Sequence, residues 1–170
     1  IHMQNDFCDG GPMANIDSFK IIPTINRIRA NYDLIIFVKY AHPSNHSSFK
    51  QFGGTHPTFC VDGTKGCELN QDVLVKSSDV VIEVGTLQKY DTTSAFYNAD
   101  GIEKQSKLKF VLQINNIKEL YFCGNSMDNF IFSSIMDAIN FQFKCFVVRD
   151  AIGYYDKEKV DIKIKYLESM

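Results

Sequence analysis

The sequence predicts an α/β protein, a three-layer α/β/α sandwich around a mostly parallel sheet. Three observations carry that prediction. Short apolar runs alternate with helical patterns along the chain. The apolar runs are continuous, as they are in strands covered on both faces. Polar and Gly-containing motifs follow the runs, at the carboxyl ends of strands, where open parallel sheets place their sites.

Taken in order, residues 1–3 read as the tail of a first strand, cut off at its start. "DSFKIIPTINRIRANY" follows as a helix with Ile22, Ile25 and Ile28 on one face, and Pro23 is acceptable at a helix start. "DLIIFVKY" and "DVVIEV" are buried strands. Between them, residues 41–75 are rich in Gly, Pro, Ser, Thr and His, a loop long enough to suggest function. "IEKQSKLKFVLQINN" reads as helix and "ELYFC" as strand. Residues 128–141 read as a helix with Ile131, Ile135, Met136 and Ile139 inward. "KCFVV" is the fifth strand and "DKEKVDIKIKYLESM" a last helix. A final strand is expected near Met170, where the chain stops, so both edges of the pattern read as incomplete.

The chain has 170 residues, is 45% hydrophobic and carries a net charge of −2, which bounds it to one domain over residues 1–170. Lys and Arg are scattered without a basic stripe, which argues against a nucleic-acid surface. No apolar run approaches the roughly 18 residues of a membrane span. The five cysteines, an odd count without a Cys-x-x-Cys pair, fit a reducing intracellular compartment, cytoplasmic or organellar, mitochondria included.

The strand-end motifs together resemble the isochorismatase-like hydrolases, and among them the nicotinamidases. The motifs are "QNDFCDGG" at 4–11, "HPSNHSSF" at 42–49, "FCVDGTKG" at 59–66 and "DTTSAF" at 91–96. "CGNSMDN" at 123–129, "DAI" at 137–139 and "RDAIG" at 149–153 complete the set, in collinear order across nearly the whole chain.

The resemblance implies a Cys–Asp–Lys triad for amide hydrolysis, with a thiolate nucleophile at a helix start. It also implies an oxyanion hole beside a cis peptide, expected at Ser126–Met127. Carried over by position, the Asp falls on His2, the Lys on Val84 and the Cys on Phe130. The metal ligands implied by the family fall on Tyr40, His42 and Phe59, with His46 nearby. Two imidazoles fall short of the three or four ligands that zinc wants. If His2 came from a cloning site, with Asp as the native residue, one triad member would return. Phe130 and Val84 would still exclude the family chemistry.

These replacements led to the expectation of a non-catalytic structural or scaffolding subunit, without a metal or other cofactor, with protein partners or a homo-oligomer. A vestigial pocket is expected around Phe7, Phe59, Ser126 and Met127. Two alternatives stand beside it. One is a nicotinamidase-type amide hydrolase using a relocated cysteine, with Cys60 near His42 a candidate pair. The other is a sensor of small aromatic molecules, built around Phe7, Phe59 and Phe130. Asp6 is expected to fix a loop as a hydrogen-bond acceptor, and Asp91 and Ser94 to cap the turn before a short helix.

Overall fold

A computed structural model describes residues 1–100 and 104–170 of the chain. Two parallel strand pairs form its backbone. Strand β1 (Ile36–Tyr40) pairs with β2 (Val80–Val84), from Ile36 against Val80 to Tyr40 against Val84. Strand β5 (Glu119–Gly124) pairs with β6 (Lys144–Ile152), with a register shift after Phe122.

Residues 1–3 join the two pairs. The His2 N–H donates to Val38 O at 2.8 Å, the Ile1 amino group to Cys123 O at 2.9 Å, and the Asn125 N–H to Ile1 O at 2.9 Å. The order across the row is therefore β2, β1, residues 1–3, β5, β6, and the expected α/β sandwich is what the chain forms.

The layers follow from the strand period of two. On β1, Phe37 packs in one core with Ile21, Ile22 and Ile25 of helix α1 (Ser18–Ile28). Its neighbour Val38 packs in the other. That second core takes Leu108 and Leu112 of α2 (Leu108–Ile114), Ile135 and Ala138 of α3 (Phe132–Asn140), and Val160 of α4 (Lys157–Glu168). Adjacent residues facing opposite cores make a sheet covered on both sides.

Several local expectations shift. Helix α1 begins at Ser18, so Pro23 sits inside it and not at its start. The missing N–H costs one helical bond, which burial of Ile21, Ile22 and Ile25 offsets. The helix expected over 102–116 is α2 alone. Lys104–Gln105 instead form β4, antiparallel to β3 (Tyr97–Ala99). The first two residues of that expected helix lie outside the described residues. Asp91 and Ser94 do accept in their turn, from the Thr92 N–H at 2.9 Å and the Phe96 N–H at 3.3 Å, but the turn leads into β3 and not into a helix.

The long loop is packed on both sides of its turns. Phe49, Phe59, Cys60 and Cys67 are buried, and single bridges join His42 to Val61 and Phe49 to His56. Its far end is held by Arg29, whose guanidinium takes both Asp79 carboxylate oxygens at 2.7 and 2.8 Å and also bonds Leu74 O. Among the described residues no helix is long and apolar enough to cross a membrane.

Candidate functional site

The carboxyl end of β1 and the segment beside it build an aromatic enclosure. Gln4 sets their spacing. Its side-chain N–H group donates to Tyr40 O and Cys67 O, each at 2.8 Å, and its carbonyl accepts from the Tyr40 N–H at 2.8 Å. With Gln4 fixed, the His2 ring stands against β1, where Tyr40 and His42 share a face at a spacing of two.

Four rings then form a column. The His2 and Tyr40 centroids are 4.2 Å apart, Tyr40 and His42 4.5 Å, and His42 and His46 4.2 Å. Phe7, Phe59 and Phe130 wall it. Phe7 stacks on His2 at 5.1 Å, Phe130 lies 4.0 Å from His2, and Phe59 meets Tyr40 edge-on at 5.8 Å. Gly85 makes the column possible. At φ +66 it sits so close that a Cβ would lie 2.6 Å from His42 Cε1 and 2.7 Å from Tyr40 Cδ1.

Three of its rings, His2, Tyr40 and His42, are held uncharged. Burial holds the His2 imidazole well below its usual range, helped by the nearby terminal ammonium and His42. Burial also takes His42 down to about 3, with His46 adding to it. The Tyr40 phenol is pushed well above its usual value by burial and donates to Thr92 O at 2.6 Å. Both His2 Nε2 and His42 Nε2 are buried without a partner. For His42, Nδ1 lies 2.7 Å from Gly85 O, so it carries the proton and leaves Nε2 with a free lone pair.

The structure thus brings together His2, Phe7, Tyr40, His42, His46, Phe59 and Phe130. Val84 and Met127 are buried in the same core, and Ser126 lies at its margin. His46 is fully engaged, by Ser48 Oγ at 2.8 Å and Tyr90 O at 3.1 Å. Asp6 fixes a loop as expected, accepting from the Cys60 N–H at 2.6 Å. A separate cavity of about 570 Å³ lies away from this cluster, between the amino ends of β1 and β5, and Ile36, Tyr121 and Leu112 are among its lining residues.

At the helix junction the cis peptide is Asn125–Ser126, one residue earlier than expected. The next turn, Met127–Ile131, is wide: Ser126 O accepts from Ile131 N–H at 3.0 Å as well as from Asn129 N–H at 3.3 Å. Phe130 is buried at its centre. A relocated thiolate finds no support from the other cysteines. Burial raises Cys8 and Cys145 to about 11, and holds Cys60, Cys67 and Cys123 above their ordinary values. The Cys60 carbonyl accepts from the His42 N–H at 2.9 Å, so that pair meets through its backbone.

Sequence reasoning missed Gln4, Gly85 and Ser134. Ser134 Oγ accepts from the Ala95 N–H at 2.9 Å and donates to Phe130 O at 2.7 Å, joining the "DTTSAF" turn to the helix. A buried Ser four residues after Phe130 was the available signal.

Comparison with known proteins fits this geometry. The isochorismatase domain model matches residues 1–170. The nicotinamidase of Acinetobacter baylyi is 29% identical, over 92% of this chain and 80% of that protein. The pyrazinamidase of Pyrococcus horikoshii, solved in complex with zinc, superposes with a TM-score of 0.89 at 28% identity, over 99% of this chain and 91% of that one. PnC1 of L. infantum, solved in complex with nicotinate, gives 0.92 at 26% identity, over 99% and 85%.

These findings correct two expectations. The chain was expected not to be an enzyme, but a scaffolding subunit; its relatives are enzymes, and no finding gives it a scaffolding role. The metal was expected to be lost; a relative of the same fold was solved with zinc. His42 fits such an ion, since its tautomer is that of a ligand. Tyr40 does not, because its hydroxyl is committed to Thr92, and Phe59 has no donor atom. Among the described residues no group of three His, Cys, Asp or Glu converges to complete a shell. The chain belongs to the isochorismatase family.

Proposed function

We propose that the protein is an amide hydrolase of the nicotinamidase type, acting on a small, neutral, planar aromatic amide. The observation that carries this reading is the aromatic column holding two unpartnered imidazole nitrogens, in a chain whose relatives are nicotinamidases. Stacking faces suit a planar ring. The carboxamide NH2 supplies donors for imidazole lone pairs that are costly to leave unpaired.

Phe130 offers no nucleophile and the thiols are protonated, so in this reading water attacks. His2, in its Nδ1–H tautomer, takes the water proton at Nε2 as the oxygen bonds to the carbonyl carbon. The same proton passes to the amide nitrogen as the C–N bond breaks, giving ammonia and the carboxylic acid, whose proton the ammonia takes up on release to leave carboxylate and ammonium. The neutral rings then disfavour the charged product.

Proton NMR of nicotinamide with the protein tests the reading, with hydroxylamine added in a second arm. Conversion to nicotinate with no hydroxamate is the expected result, because no acyl-enzyme forms. Hydroxamate would show a covalent intermediate, and nicotinamide left intact over days would remove the assignment.

A further inference from the structure

At the opposite ends of the strands from the ring column, β1 and β5 part around the cavity of about 570 Å³. Residues 1–3 join the two strands only towards their carboxyl ends, with the His2 N–H on Val38 O and the Ile1 amino group on Cys123 O. Along β1, Ile35 O accepts from the Val80 N–H and the Ala41 N–H donates to Val84 O, so odd-numbered residues bond β2. Ile36 and Val38 therefore turn their backbone groups towards the cavity, which both residues line. Along β5, Lys118 O accepts from the Lys144 N–H and Gly124 O from the Gly153 N–H, so even-numbered residues bond β6. Tyr121 and Cys123 turn theirs towards the same cavity from the other wall.

The side chains around the cavity come from both layers. Ile25 and Ile28 of α1 line it on one side of the sheet, and Leu108 and Leu112 of α2 on the other. An occupant must therefore be apolar on two faces, as a buried parallel strand is. The walls add a second requirement, because backbone groups turned into an apolar space are costly to leave unpaired. An apolar small molecule would fill the volume and leave them so. An extended peptide meets both requirements, its side chains alternating into the two layers and its amides bonding both walls. Its direction follows from Ile1, whose amino group donates to Cys123 O while its carbonyl accepts from the Asn125 N–H, the parallel pattern. The cavity reaches solvent at Asp33, Asn116 and Lys118, which are exposed. We propose that this cavity is a strand-binding site, in which a Val- and Ile-rich extended segment of another polypeptide lies between β1 and β5 and parallel to both.

An acetylated and amidated hexapeptide, Lys-Val-Ile-Val-Ile-Lys, is the probe, and amide hydrogen exchange followed by NMR is the readout. With millimolar peptide, exchange at the Val38 and Cys123 N–H groups should slow by at least about tenfold. Phe37 and Phe122, already bonded in the ladders with β2 and β6, should keep their rates. The same peptide N-methylated at its two central residues keeps its apolar side chains and loses one donor on each edge. It should leave the Val38 and Cys123 amides unprotected. Equal protection by the two peptides would show an apolar pocket without strand pairing, and no protection by either would show that no strand binds. Either result would overturn the proposal. Neither bears on whether nicotinamide is hydrolysed at the ring column, so the two readings fail separately.

Discussion

The His2 imidazole lies 4.0 Å, centroid to centroid, from the Phe130 ring, tilted by 50°. These are the two positions at which the sequence resemblance implies an Asp and a Cys, and here they are an imidazole packed on a phenyl ring. The contact helps to explain why His2 stays neutral: the ring at position 130 adds to the burial that disfavours the imidazolium.

That neutrality predicts a pH dependence of stability. The folded-state values of His2 and His42 lie below the usual 6.5, His42 at about 3. The unfolded chain therefore binds more protons between those values and 6.5. The stabilisation is fully present above pH 6.5 and is lost as pH falls, at about 1.4 kcal/mol per pH unit for each histidine. Urea midpoints should drop steadily from pH 7 to 5.5, before the carboxylates titrate, and a flat profile would show that the column is hydrated.

Gly85 is predicted to be intolerant of any side chain. Gly85→Ala meets the His42 ring at 2.6 Å and a left-handed φ of +66. It should cost about 1–3 kcal/mol in chemical denaturation. A neutral outcome would mean that the column does not need this approach.

Ser134→Ala removes the acceptor of the buried Ala95 N–H. The unpaired donor should cost about 1–3 kcal/mol. Ser134→Thr, which restores an oxygen, should recover part of that if its methyl is accommodated.

Arg29 and Asp79 form an ion pair with side chains only 8% and 3% exposed. Breaking it through Asp79→Ala strands a buried guanidinium, at about 3–5 kcal/mol. The double variant Arg29→Met, Asp79→Ala should be more stable than the Asp79→Ala variant.

The sheet was legible in the sequence because "DLIIFVKY", "DVVIEV" and "ELYFC" are continuous apolar runs, and β-strands with two covered faces need them. The β3–β4 hairpin was not, because Lys104–Gln105 are exposed and polar and carry no strand pattern. The site was legible as positions but not as an arrangement. Aligned motifs located His2, Tyr40, His42 and Phe130, yet nothing in their spacing announces a column. Its geometry depends on Gln4 bonding Tyr40 on both sides and on Gly85 leaving space, and both are tertiary facts. The metal and enzyme expectations failed for a related reason: counting lost side chains says nothing about the tautomer of the one that remains.

In the proposed reaction a neutral His2 in the aromatic column drives water onto a planar amide. Ammonia release from nicotinamide, compared between the wild-type chain and His2→Phe at matched circular dichroism, tests it most directly. The expected result is release by the wild type, level from pH 8 to 6, and a loss of at least about a hundredfold in His2→Phe. Equal rates in the two proteins, or no release by either, would contradict it.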